Sequence, residues 1–242
     1  MNSNLKKWLK LKLKYNPMLL LWTKKIINHP FHTLLQIIYG IWITWRITKK
    51  FGLKVIYKNK EIIKFSTRVN GRVLIGGYLF VDNCFLWKED ISLICDGDLN
   101  IHKSFAIGAG TTLVVTENAI LEIIGDEIDI VVLMPNSGIT GKTTILCNKY
   151  IFIGSQSIIA WNVNIIDSDF HPINGVTGCR DVYIGNNVWI GNSVNILKGA
   201  YIPDGSIIGA GSIVRSKLTK KDIYVLDVDL KGLNRDFNWT RY

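Results

Sequence analysis

From Ile184 onward an aliphatic side chain returns at every sixth position: Ile184, Ile190, Ile196, Ile202, Ile208 and Val214. Four residues after each stand Val188, Val194, Ala200, Ser206, Ser212 and Leu218, mostly small, and glycine directly follows three of the aliphatics, at Gly185, Gly191 and Gly209. The period recurs upstream at Val69, Ile75 and Val81, at Ile101, Ile107 and Leu113, and at Ile153, Ile159 and Ile165, with slips of phase between blocks. A period of six suits neither an α-helix nor the two-residue alternation of a flat sheet. It suits a solenoid in which each hexapeptide is one short strand and one corner, its aliphatic residue aimed at the axis and its small residue near the bend. Three such faces make a coil of about 18 residues, and stacked coils form parallel sheets with an interior of Ile and Val. Residues 66–218 would supply roughly eight coils. No coil can bury its own face, so the stack is the cooperative unit.

Composition agrees with a packed body. The 242 residues are 48% hydrophobic and 20% charged, which excludes a mainly disordered chain. Four cysteines, Cys84, Cys95, Cys147 and Cys179, form no C-x-x-C pair, so neither a zinc ribbon nor a disulfide framework is indicated. Reduced thiols in a cytoplasmic compartment are the expectation. The formal charge of +10 is unevenly placed. Residues 1–64 carry fourteen Lys and Arg against one acid, Glu61, a net +13; residues 65–242 carry fifteen against eighteen acids, a net −3. A basic body that grips nucleic acid is therefore disfavoured.

The basic character belongs to an N-terminal appendage. Lys6, Lys7, Lys10, Lys12 and Lys14 alternate with Leu5, Trp8, Leu9, Leu11 and Leu13. The stretch from Asn28 to Trp45 has no charged side chain, but Asn28, His29, Thr33, Gln36 and Thr44 make it a poor membrane span. No small-residue cleavage site follows an apolar core, so a secretory signal is not indicated. Two readings stay open: helices that pack on the end of the main domain, or a basic amphipathic segment in peripheral contact with the inner face of a membrane. The predicted organisation is a helical appendage over 1–64, a repeat domain over 65–218 with an excursion loop at 166–183, and a C-terminal tail over 219–242.

That loop breaks the regular phase between Ile165 and Ile184. A solenoid tolerates excursions only outward, and loops on a rigid scaffold are where chemistry is usually placed. This one carries Asp167, Asp169, His171, Cys179 and Arg180. A histidine, with an unperturbed pKa of about 6.5, suits proton removal from a hydroxyl, and Asp169 or Asp167 would orient its ring. The short GITGKT stretch at Gly138–Thr143 lacks the spacing of a phosphate-binding loop. His29, His32, His102 and His171 do not supply three ligands from the repeat body, so no metal is expected.

The repeat and the loop together resemble the left-handed β-helix hexapeptide acyltransferases, and within them the O-acetyltransferases of sugars and surface polysaccharides. The likeness is specific over about residues 147–217 and looser over 66–146, and it does not reach 1–64. It rests on the hexads and on His171-Pro172 following the run Ile153-Gly154 to Ile159-Ala160-Trp161-Asn162-Val163. The resemblance implies an all-β solenoid, a left-handed parallel β-helix in the form of a triangular prism. It also implies a homotrimer, acetyl-CoA as donor, and active sites in clefts between neighbouring prisms. It assigns His171 as general base for direct transfer to a hydroxyl of a sugar or glycan precursor.

For the donor the resemblance points to Asn192, Ala210 and Arg215, with Lys217 as a nearby positive charge. Lys231 is the remnant of a terminal phosphate-binding turn, and Trp189 either lines the cleft or packs between coils. Trp161 and Asn162 either line the acceptor cleft or are ordinary corner residues. Competing functions are N-acyl transfer to an amino-sugar, which the same base would serve, and a non-catalytic solenoid that binds a partner or a membrane surface.

Overall fold

A computed structural model describes residues 17–59, 62–82, 87–129, 133–173 and 176–226. Over these the chain winds as a three-sided parallel β-helix capped at its N-terminal end by two helices. Each side is one parallel sheet: face A has eight strands, face B seven and face C six.

The repeat explains the winding. Ile184 lies on face C, Ile190 on A, Ile196 on B, Ile202 on C, Ile208 on A and Val214 on B, so six hexapeptides go twice round the prism. Successive coils stack like on like. Ile159, Ile190 and Ile208 stand in register on face A, Ile165, Ile196 and Val214 on face B, and Ile153, Ile184 and Ile202 on face C. All nine are buried. Removing such a side chain from water is worth about 1.5–3 kcal/mol, which is why one aliphatic residue per six is enough to hold each face in place. Ala200, Ser206 and Ser212 are also buried, because a corner turning towards the axis has no room for a large side chain.

The phase slips have visible causes. Between the face C strand Ile120–Ile123 and the face A strand Gly138–Ile139 the chain leaves the prism, and Ile128–Asp129 pairs antiparallel with Met134–Pro135. The loop after Ile166 is a second departure, which folds as an antiparallel hairpin. Two boundaries differ from the sequence reading. Face A begins at Val55–Tyr57, ten residues ahead of 65, because that short strand pairs with Leu79–Asp82. Ile223–Tyr224, in the expected tail, adds a last strand to the same face. The described residues make six complete three-strand coils, a seventh that lacks a face C strand, and the first strand of an eighth.

Helix α1 is Pro17–Asn28 and helix α2 is Pro30–Thr48. Leu21 of α1 packs with Ile56, Phe80 and Ala106 on the outer side of face A, and with Leu133 and Met134 of the first insertion. Helix α2 lies over the open end of the prism, where Ile43 and Ile47 join the axial core. The two helices also satisfy the unpaired edge of the first coil. Thr44 Oγ1 accepts the N–H groups of Lys54 and Val55 at 3.0 and 3.1 Å. Lys25 donates to Tyr57 O, and Gln36 donates to Asn59 O, each at 2.5 Å. The helix can approach so closely because position 40 is glycine: a Cβ there would sit 2.5 Å from Val55 O. The described part of the appendage packs on the end of the domain. Residues 1–16, with their alternating Lys and Leu, lie outside the described residues.

Candidate active site

The excursion replaces the corner that joins face B to face C. Its strands are Ser168–Ile173 and Val176–Cys179, and Ser168 pairs with Cys179 and Pro172 with Thr177. The register shifts between those pairs, and Phe170 takes a positive φ of 57°, the local kink of a bulge. The hairpin base is closed on itself and tied to the next coil. Arg180 N–H donates to Asp167 O at 2.9 Å, and Gly199 N–H in the next coil donates to Arg180 O at 3.2 Å.

His171 sits on the outgoing strand of this hairpin and is exposed. Among the described residues no side chain is hydrogen-bonded to its ring. Neither aspartate expected to orient it does so within this chain. Asp167 is fully buried at the corner, where its carboxylate accepts the backbone N–H groups of Asn148 and Lys149 at 2.8 Å and of Tyr150 at 2.9 Å. The carboxylate thus closes the corner of the coil below. A short acidic side chain that follows a strand meets three amides of a parallel turn more readily than a ring on a projecting hairpin. Burial and the adjacent Asp167 push the Cys147 thiol well above the ordinary range. Asp169 is ion-paired with Lys198, in the corner of the next coil. Lys198 was not singled out from the sequence; a charged residue in the hexad phase reads there as a solvated corner.

Cys179 is half-buried, its Sγ 3.1 Å from Asn148 Nδ2 and 3.4 Å from Ser168 Oγ, which marks it as part of the hairpin base. Cys95 and Cys147 are buried and free, burial raising the Cys95 thiol to about 11, and Cys84 is outside the described residues.

The remaining candidate residues fall into two groups. Trp161, Asn162, Asn192 and Ala210 all lie on the edge between faces A and B. Strand register aligns Trp161 with Asn192 and Ala210 there, and Asn162 with Ser193. Asn162 donates to Ser193 Oγ at 3.1 Å. Lys142, Asn162 and Ser193 take φ of 48°, 59° and 59° at equivalent places in successive coils, with Gly110 and Gly211 at 72° beyond them. The edge is therefore a ladder of left-handed corners, which turns backbone groups outward along its length. Trp189 lies on the outer side of face A, 56% exposed between Ile158 and Ile207, so it does not pack between coils.

Arg215 and Lys217 follow the last strand of face B, on the same prism edge as the hairpin. Both are exposed, and Lys217 Nζ lies 5.0 Å from the ring centroid of Tyr201. Tyr201 stacks on Tyr183 at 4.8 Å, and Tyr183 on Phe152 at 4.7 Å, along the outer side of face C. Lys231 lies outside the described residues.

One chain therefore does not gather all its candidates. His171, Asp169, Arg215 and Lys217 belong to one edge, and Trp161, Asn162, Asn192 and Ala210 to another. A strand of about four residues separates the two edges, some 13 Å at ~3.3 Å per residue. Among the described residues no three His, Cys, Asp or Glu side chains are grouped so as to hold a metal ion.

Residues 181–216 match the family model described as bacterial transferase hexapeptide, six repeats. Over these residues the chain carries the hexapeptide repeat of that model. The matched stretch is the part in which the hexads run without interruption round all three faces, and it begins where the hairpin ends. No curated protein sequence matches the chain significantly. Among solved structures, "Crystal Structure of the polySia specific acetyltransferase NeuO" aligns over 78% of this chain and 86% of that one, at 21% identity and a TM-score of 0.33. A likeness that low says nothing of this chain's activity.

Proposed function

We propose that the chain is an acetyl-CoA-dependent O-acetyltransferase acting on a sugar hydroxyl of a surface polysaccharide or its precursor. The observation that carries this reading is His171: an exposed ring, free of side-chain partners among the described residues, on the hairpin that leaves the prism directly ahead of its uninterrupted hexads. An imidazole held that way on a rigid scaffold is available to an incoming hydroxyl. The family description as a bacterial transferase supports transfer chemistry in general.

In this reading His171 accepts the proton of the acceptor hydroxyl as its oxygen attacks the thioester carbonyl. The same ring then returns the proton to the departing thiolate. Backbone N–H groups of the cleft stabilise the oxyanion. Asp169 and Lys198 brace the hairpin against the next coil. The donor groove runs along the ladder edge of Trp161, Asn162, Asn192 and Ala210.

Because that edge stands a full face away from the hairpin, the groove facing His171 belongs to a neighbouring copy, and the working unit is a homotrimer with sites between prisms. The test is thiol release from acetyl-CoA across a panel of sugar acceptors, with mass spectrometry of the products. His171→Ala is expected to lower turnover by about 10²–10⁴ while acetyl-CoA binding is kept. Turnover near wild type in that variant overturns the assignment, and a monomer by light scattering that still acetylates overturns the shared site.

A further inference from the structure

Helix α2 is amphipathic in the reverse of the usual sense. Its inward face carries Thr33, Gln36, Gly40 and Thr44 beside Ile43 and Ile47. Its outward face carries Phe31, Leu34, Leu35, Ile38, Trp42 and Trp45, all exposed. These six recur at helical spacing over 15 residues, one stripe about 22 Å long at ~1.5 Å per residue. Ile26 and Ile27 at the end of α1 extend the apolar surface at one end, and Phe51, 86% exposed, at the other. A soluble monomer rarely leaves so continuous an apolar patch uncovered.

The charges round the stripe indicate what covers it. The sequence contains no Asp or Glu before Glu61, and residues 1–64 carry a net +13. Arg46, Lys49 and Lys50 gather at the C-terminal end of α2, and the Arg46 guanidinium lies 5.1 Å from the Trp42 ring centroid. A second copy laid on this face would bring two such segments together, and like charges oppose that contact. An anionic surface with an apolar interior is complementary to both features. Indole rings beside basic side chains are the side chains favoured at a bilayer interface.

The helix is held flat on the prism, because Thr44 accepts hydrogen bonds from the first coil and Gln36 donates one to it. Among the described residues no helix is long and apolar enough to cross a membrane. We propose that the outward face of α2 is an in-plane docking surface for an anionic lipid bilayer. The stripe enters the acyl boundary, and Arg46, Lys49 and Lys50 lie among lipid phosphates. The proposal stands whether or not the transfer activity does.

The experiment uses the full chain and vesicles of phosphatidylcholine, alone or mixed with phosphatidylglycerol, in co-sedimentation at low and high salt. Binding is expected to the mixed vesicles, at least tenfold weaker to phosphatidylcholine alone, and reduced at 1 M salt, where screening shortens to ~3 Å. Leu34→Asp with Ile38→Asp is expected to lower partitioning at least tenfold with far-UV circular dichroism and melting temperature unchanged. Tenfold corresponds to ~1.4 kcal/mol, which the lost burial of one apolar side chain is enough to supply. Lys49→Glu with Lys50→Glu takes residues 1–64 from +13 to +9 and is expected to weaken the preference for phosphatidylglycerol. No binding at low salt overturns the proposal. Binding that the Asp variants leave unchanged overturns it too, since adhesion would then rest on the basic segment alone. Self-association in light scattering that the Asp variants abolish assigns the stripe to a second copy instead.

Discussion

Helix α2 and the coils beneath it sort the same residue types in opposite directions. In a coil such as residues 184–202, Ile184, Ile190, Ile196 and Ile202 point to the axis, and polar side chains such as Asn186 and Asn195 stay at the rim. In α2 the polar Thr33, Gln36 and Thr44 point inward and Phe31, Leu35 and Trp45 point out. The difference lies in what each element covers. A coil stacks on another coil, and its strands pair with the strands above and below. The helix covers the first coil, whose upward-facing N–H and C=O groups have no further strand to meet, so its inner face must supply hydrogen-bonding side chains.

The largest test of the contrast is a cavity at the axis. Ile190→Ala is expected to cost about 2–5 kcal/mol, whereas Ile38→Ala on the outer face of α2 should stay within about 0.5 kcal/mol in urea unfolding. Comparable losses would mean that the outer stripe is covered in the free protein.

Smaller effects probe the polar contacts. Asp167→Ala removes the acceptor shared by three part-buried amides and should cost about 1–3 kcal/mol, since water reaches the freed N–H groups at exposed Lys149. A matching loss of activity without loss of stability would instead return Asp167 to the chemistry. Thr44→Val leaves the N–H groups of Lys54 and Val55 without their acceptor and should cost about 1–3 kcal/mol, against near zero for the same change at an exposed threonine.

The smallest effect is a pH dependence. Burial lowers Lys25 from 10.5 to about 8. The unfolded chain therefore binds the extra proton between those values, and Lys25 opposes folding less as pH rises through that window. The stability of wild type relative to Lys25→Met should increase from pH 8 to 10.5. The comparison with the variant cancels the opposite trend of Cys95, whose raised thiol pKa lowers stability over part of the same range. A flat difference would show that the Lys25 ammonium is solvated.

The sequence by itself determined the prism. A six-residue aliphatic period with small residues at fixed offset admits one arrangement that buries every aliphatic, and the observed register of Ile159, Ile190 and Ile208 follows from it. It also marked the excursion, since a break in a strict period must leave the solenoid, and it singled out His171 there. The tertiary structure alone decided what the neighbouring carboxylates do. Asp167 and Asp169 are equivalent as letters, but one lies at a buried corner under three amides and the other beside Lys198. It alone decided that the candidate groove and the candidate base stand on different edges, because the period fixes which residues face inward but not which coils an insertion displaces. And it alone decided which side of α2 is buried. Helical spacing groups Phe31, Leu34, Ile38 and Trp42 on one face, but only the unpaired backbone of Lys54 to Asn59 selects the polar face for the interior.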